Sequence, residues 1–284
     1  MLRQAITRLE QADALDGAGD RIQSVVTAAV RPRRLRDLLH GSPWGHPLHP
    51  VLVQVPVGAF LSAAILDLVP GGRRSATTLI AVGTAGVVPA AIAGWVDWSE
   101  TTRDRRRVGL VHAATNAVAT GLYVSSLIAR LTGHAGRGRA LAYAGLSVAG
   151  AGAYLGGHLS YAQGAGISHA APEVALVPES WTVVSSLASL PDGKTAVRKA
   201  GGVPVLLHRR GDQVTALIER CSHEAGPLGE GEIEGTGADA CVVCPWHGST
   251  FRLADGAVVH GPAGNAQPVL PVRVRDGAVE VRRP

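Results

Sequence analysis

The chain has 284 residues, room for two domains, and a formal net charge of +5. Residues 1–173 hold sixteen Arg, no Lys and ten acids, whereas residues 174–284 hold eleven Lys or Arg against twelve acids. Three cysteines are too few for a disulfide-built scaffold, and the long uncharged apolar stretches of the basic half point to a membrane and exclude nucleic acid as its partner.

Residues 1–45 read as short amphipathic helices on a membrane surface. Ile6 and Leu9, then Ile22, Val25, Val26 and Ala29, recur at helical spacing, and Gly17-Ala18-Gly19 interrupts them. Residues 46–161 read as an all-α bundle of four transmembrane helices. The apolar stretches are Val51–Val69, Ser75–Val96, Val108–Leu131 and Ala140 to about Tyr161, each near the ~20 residues that cross a bilayer. Pro89 predicts a kink in the second, and Gly152-x-x-x-Gly156 permits close helix approach in the fourth. Arginines flanking the spans favour an inside N-terminus. An even number of spans then returns the chain to the cytoplasmic side. Arg33-Arg34 keeps twin-arginine export as the alternative topology.

The span count brings four histidines to one membrane face: His46 and His49 at the entry to the first span, His112 near the start of the third and His158 near the end of the fourth. Ionisable groups in spans are costly and often functional. Four imidazoles there could bind haem or a metal, or serve a quinone; histidines that merely cap helix ends are the other reading.

Residues 162–180 contain Gly164, Gly166, Pro172 and Pro178 and read as a linker. Residues 181–284 show short β-type runs, Trp181–Val184, Val203–His208, Val214–Glu219, Ala240–Val243, Val269–Val274 and Ala278–Val281, separated by turn signals such as Pro191-Asp192-Gly193. That predicts a small all-β domain of antiparallel sheets. Within it lie Cys221-Ser222-His223 and Cys244-Pro245-Trp246-His247. Each pairs one thiolate with one imidazole, and glycines and prolines around both allow tight loops. Two Cys and two His also make a zinc site, but zinc motifs commonly pair like with like, whereas each half here is mixed.

The C-x-H and C-x-x-H motifs, with the continuation Gly248-Ser249-Thr250-Phe251, Asp255-Gly256 and Gly261-Pro262-Ala263, resemble the Rieske family. The resemblance implies a [2Fe–2S] cluster on two loops, with Cys221 and Cys244 on the inner iron and His223 and His247 on the outer. It places Trp246, Gly248 and Ser249 around the cluster, with the Ser249 hydroxyl toward a bridging sulfide. Respiratory Rieske proteins add two bridging cysteines, at positions matching Gly226 and Trp246, and a tyrosine where Phe251 stands. Their absence implies a low potential, as in Rieske ferredoxins. Cys241 reads as a buried strand thiol.

Residues 38–167, with Gly45-His46-Pro47-Leu48-His49-Pro50 and Gly156-Gly157-His158-Leu159-Ser160-Tyr161, resemble a bacterial four-helix membrane family without assigned function that is often fused to Rieske domains. The combined expectation is a multi-pass protein of the bacterial inner membrane with a cytoplasmic Rieske domain. It would pass single electrons to or from a redox partner protein, a reductase or an acceptor. The alternative is a membrane oxidoreductase subunit whose histidine cluster holds haem or quinone. No substrate-converting active site is evident. Membrane lipid is a further partner, and a homo-oligomer is compatible with the sequence.

Overall fold

The computed structural model describes residues 2–284 and divides the chain into two units, one running to Arg31 and from Leu48 to Ala165, the other Pro32–Pro47 with Gly166–Pro284.

The first unit is helical. Helices α1 (Leu2–Glu10) and α2 (Asp16–Ala29) precede α4 (Leu48–Leu52), α5 (Gln54–Leu66), α6 (Arg73–Ser99), α7 (Arg103–Leu131) and α8 (Ala135–Gly157). With α3 of the other unit, eight α-helices precede residue 158 among the described residues. The first two helices pack on α6 and α7. Arg107 holds both Asp16 carboxylate oxygens at 2.7 Å and the Glu10 carbonyl at 2.8 Å, and Arg106 reaches Asp20 at 3.2 Å. The Arg107 guanidinium keeps the Asp16 carboxyl below the usual carboxylate range. Helix α6 runs unbroken through Pro89.

Two helical stretches, Leu48–Leu66 and Arg73–Ser99, are long and apolar enough to cross a membrane. The four-span count is therefore not carried by composition. His112, Thr115 and Asn116 dilute the apolar character of α7, and frequent glycines that of α8.

The helices form two hairpins on one plan, α4–α5 with α6 and α7 with α8. Phe60 lies against Gly83, where a Cβ would stand 2.6 Å from the ring, and Tyr123 lies against Gly145, where a Cβ would stand 3.2 Å away. The offset is 63 residues along the first helices (Phe60 to Tyr123) and 62 along the second (Gly83 to Gly145). The two aromatic rings stack on each other, 3.6 Å apart and 6° from parallel, in a core that includes Ala63, Ala76, Ile80 and Ala142.

The second unit is built on antiparallel sheets. One has the order β1 (Thr182–Ser186), β10 (Ala278–Val281), β9 (Val272–Arg275); a second, β2 (Thr195–Ala200), β3 (Val203–Arg210), β4 (Gln213–Ile218). A third runs β5 (Glu232–Glu234), β6 (Cys241–Val243), β7 (Thr250–Arg252), β8 (Val258–His260). Six strands coincide with the β-type runs of the sequence. The others are β2 and three short strands flanking loops, too brief to show an alternating pattern. One apolar core joins β1, β3, β4 and β10 through Val205, Leu207, Ala216, Ile218, Val279 and Val281. The other lies under the loops and includes Leu206, Leu217, Leu228, Val242, Phe251, Cys221 and Cys244.

Residues 32–47 belong to this β unit, whereas the sequence suggested a surface helix of the membrane region. Helix α3 (Arg33–His40) ends at Gly41 in the left-handed conformation (φ 81°), as a helix C-terminus favours. Asp37 bonds the His260 ring at 2.9 Å and the Gly261 N–H at 3.0 Å, and His40 and Ser42 are buried. Leu35 and Leu38 stay exposed, and the contacts that hold the helix are the polar ones of Asp37 with residues more than 200 positions away, which helical periodicity does not encode. The stretch read as a linker includes the short helix α9 (Ala171–Val174), and Val177 beyond it is in the core.

Candidate metal centre

The loop after β4 carries Cys221 and His223, and the loop between β6 and β7 carries Cys244 and His247. Each loop closes on itself. Cys221 N–H donates to Gly226 O at 2.8 Å and Ala225 N–H to Cys221 O at 2.9 Å; Cys244 N–H donates to Ser249 O at 2.8 Å and Gly248 N–H to Cys244 O at 3.0 Å. Ala225 (φ 59°) and Gly248 (φ 73°) make the left-handed turns these closures require. The two loops are therefore alike although their spacings differ.

Four donors result, in two pairs. The cysteine thiols are free, buried and hydrogen-bonded to each other. Backbone N–H groups of His223 and Glu224 point at the Cys221 sulfur, and those of Trp246 and His247 at the Cys244 sulfur. The Cys221 thiol bond, aided by those N–H groups, brings Cys244 down to about 6, while the same bond and burial push Cys221 up. The imidazoles of His223 and His247 lie 5.1 Å apart, nearly perpendicular, and both are partly exposed. His247 Nδ1 is buried and has no hydrogen-bond partner, an uncommon state for a polar atom unless a ligand satisfies it.

A sulfur pair in the core and an imidazole pair nearer solvent fit a two-iron cluster, one pair to each iron. A single zinc ion needs four ligands round one point, and among the described residues no group of three or more His, Cys, Asp or Glu gathers in that way. Close packing keeps room for the group small: a Cβ on Gly226 would stand 2.9 Å from the Cys244 sulfur and 3.1 Å from the Trp246 ring. Ser249 is fully buried and its Oγ accepts the Ala263 N–H at 3.0 Å, tying the second loop to Gly261-Pro262-Ala263. Trp246 is 58% exposed at the rim. Cys241 lies in β6, its thiol donating to Asp239 O at 3.2 Å.

Two residues that brace the site were not read from the sequence. Gln267, buried, accepts the Ser222 N–H at 2.8 Å and donates to Ile218 O and Arg220 O at 2.6 and 2.7 Å, clamping the first loop from beneath. Asp37 holds Gly261 from the far end of the sequence. Neither has a local motif to betray it.

His46 is exposed and belongs to the β unit. His158 in the helical unit bonds the Glu10 carboxylate at 2.9 Å. His49 and His112 each place Nδ1 2.8 Å from a helix carbonyl, Ala90 O and Gly152 O.

Comparison with known proteins identifies two families in the chain. The Rieske [2Fe-2S] domain family matches residues 180–272, and the family described as a predicted membrane protein (DUF2231) matches residues 45–169. The anthranilate 1,2-dioxygenase ferredoxin subunit of Burkholderia cepacia is 34% identical over 101 residues, 36% of this chain and 90% of that protein. Ferredoxin CarAc of Metapseudomonas resinovorans is 29% identical over 102 residues, 36% of this chain and 92% of that protein. Among solved structures, the ferredoxin of carbazole 1,9a-dioxygenase from Nocardioides aromaticivorans IC177 is 25% identical, with a TM-score of 0.35, covering 37% of this chain and 99% of that one. The chain belongs to the Rieske [2Fe–2S] family, with a cluster-binding domain of the ferredoxin type joined to a DUF2231 domain.

Proposed function

We propose that this protein is a membrane-anchored one-electron carrier, with Cys221 and Cys244 holding the inner iron and His223 and His247 the outer. The observation that carries the assignment is the division of donors into a buried sulfur pair and a rim imidazole pair, with His247 Nδ1 left unpartnered. When bound, a [2Fe–2S] cluster accepts and releases one electron at a time. The chain's residues do the rest. N–H groups of both loops stabilise charge on the ligand sulfurs. Leu206, Leu228 and Phe251 exclude water from them, and Trp246 beside His247 offers a partner an aromatic rim next to the imidazoles.

The helical unit serves as the anchor. Its outward residues are apolar, including Val57, Ile65, Val88, Val118 and Ile128, while Arg130 and Ser126 are buried inside. That is the reverse of a water-soluble bundle and suits four spans in lipid. The arginine bias favours the β unit on the cytoplasmic side. Relatives named as dioxygenase ferredoxin subunits suggest a partner of the same redox class, an electron-accepting oxygenase or a donating reductase.

EPR of reduced membranes tests the reading. The expected signal is that of a mixed His/Cys cluster, retained in Cys241→Ser and lost in His223→Ala and His247→Ala. An all-cysteine signal, or activity recovered wholly in the soluble fraction after mild lysis, overturns it.

A further inference from the structure

The hairpin repeat extends to the histidines. His49 and His112 are again 63 residues apart, and the carbonyls that receive them, Ala90 and Gly152, are 62 apart. Four residues beyond each carbonyl stands a glycine. A Cβ on Gly94 would lie 2.8 Å from His49 Nδ1, and one on Gly156 would lie 3.0 Å from His112 Cε1. The glycines are what let each ring reach its carbonyl. The same seat has thus been built twice, once in each hairpin.

A carbonyl oxygen only accepts, so Nδ1 carries the proton in both rings, and in the neutral imidazole Nε2 then bears a lone pair. Asn116 Nδ2 stands within hydrogen-bond distance, 3.3 Å, of each nitrogen of the His112 ring, and donates at 2.9 Å to the His112 carbonyl. Repeat-related residues of the two hairpins meet in this unit, Phe60 stacking on Tyr123 and Asp67 pairing with Arg130.

We propose that His49 and His112 are the two axial ligands of a haem iron bound by the helical unit. A histidine anchored through Nδ1–H to a backbone carbonyl has the arrangement typical of metal-ligating histidines. The internal repeat supplies two such ligands, one from each hairpin. A bare zinc or copper(II) ion would ask for three or four protein donors, and no such group exists among the described residues. Haem brings four nitrogens of its own and needs only the remaining two. A quinone oxygen needs a donor, which a neutral Nε2 is not. The inference goes beyond the carrier reading and uses none of the cluster ligands, so either can fail alone.

The test uses the full chain, produced with ample haem, extracted in detergent and assayed by absorption and pyridine haemochrome. One b-type haem per chain is expected, with low-spin bands on reduction. His49→Ala and His112→Ala should each abolish the low-spin spectrum while keeping the cluster EPR signal; His46→Ala and His158→Ala should leave haem content unchanged. Where an alanine variant loses both signals by misfolding, His49→Met and His112→Met decide: the haem bands must shift. Wild-type protein that holds its cluster but no haem overturns the proposal. So does a bound metal without porphyrin, or a spectrum indifferent to both histidines.

Discussion

Asp67 and Arg130 occupy equivalent positions in the two helical hairpins, 63 residues apart, and meet as a buried bidentate ion pair with Arg130 Nη1 2.8 Å from Asp67 Oδ1. One site of the repeat carries the acid and its twin the base. Asp67→Asn or Arg130→Met leaves one buried group uncompensated, and each should cost about 3–5 kcal/mol. The exchanged pair, Asp67→Arg with Arg130→Asp, should recover most of that loss, because the two environments are alike. Thermal unfolding in detergent, followed by helical circular dichroism, measures it. A double variant no more stable than the singles would show that the equivalence is only one of numbering.

Asp37 ties helix α3 to the β unit through His260 and the Gly261 N–H. Asp37→Ala removes both bonds and leaves a donor unsatisfied, at a cost of about 1–3 kcal/mol. Residues 32–47 should then loosen, so that limited trypsin digestion cuts at Arg33, Arg34 and Arg36 faster than in wild type. Asp37→Asn, which keeps an acceptor for Gly261, should fall between.

Phe251 is fully buried in the core that holds both cysteine sulfurs. It cannot donate to a sulfur, as the tyrosine of respiratory Rieske proteins does. The midpoint potential should therefore lie at the low end of the Rieske range, near about −150 mV, and Phe251→Tyr should raise it. An EPR-monitored redox titration of both proteins checks this. A strongly positive wild-type midpoint would contradict it.

Burial, and then the charge of Arg210, hold the His208 imidazole below its usual range. Its folded pKa lies under the unfolded value near 6.5, so the unfolded chain binds the extra proton first. The stability that depends on a neutral His208 is present above about pH 6.5 and is lost as pH falls toward the folded pKa. His208→Gln should flatten the fall in melting temperature between pH 7 and pH 5. Parallel curves for the two proteins would rule the residue out.

The candidate cluster site was legible because the four residues proposed as ligands sit in two short local motifs, and a loop that wraps a metal keeps donors and turn residues adjacent. The bundle's repeat was harder to see. It survives in His49 and His112, in an aromatic at 60 and 123, and in glycines at 83, 94, 145 and 156; between them, interchangeable apolar residues carry no register. Even Asp67 and Arg130 hide the relation, since equivalent positions hold opposite charges. The docking of Arg33–His40 was illegible for a physical reason: it is held by the polar bonds of Asp37 to His260 and Gly261, and no local pattern encodes partners so far away in sequence.

Because Pro32–Pro47 groups with Gly166–Pro284, the compact unit that holds the candidate cluster site includes a segment from the N-terminal part of the sequence. Cleavage in the Gly-rich stretch after Ala162 would free a polypeptide that retains all four candidate iron ligands but lacks Asp37, His40 and Ser42. Such a fragment would expose the Gly261-Pro262-Ala263 loop, which Ser249 and Asp37 grip from opposite sides. A ferredoxin cut from this chain should therefore be compared with and without the 32–47 segment, joined to it or added as a peptide, before its potential is set against that of the intact protein.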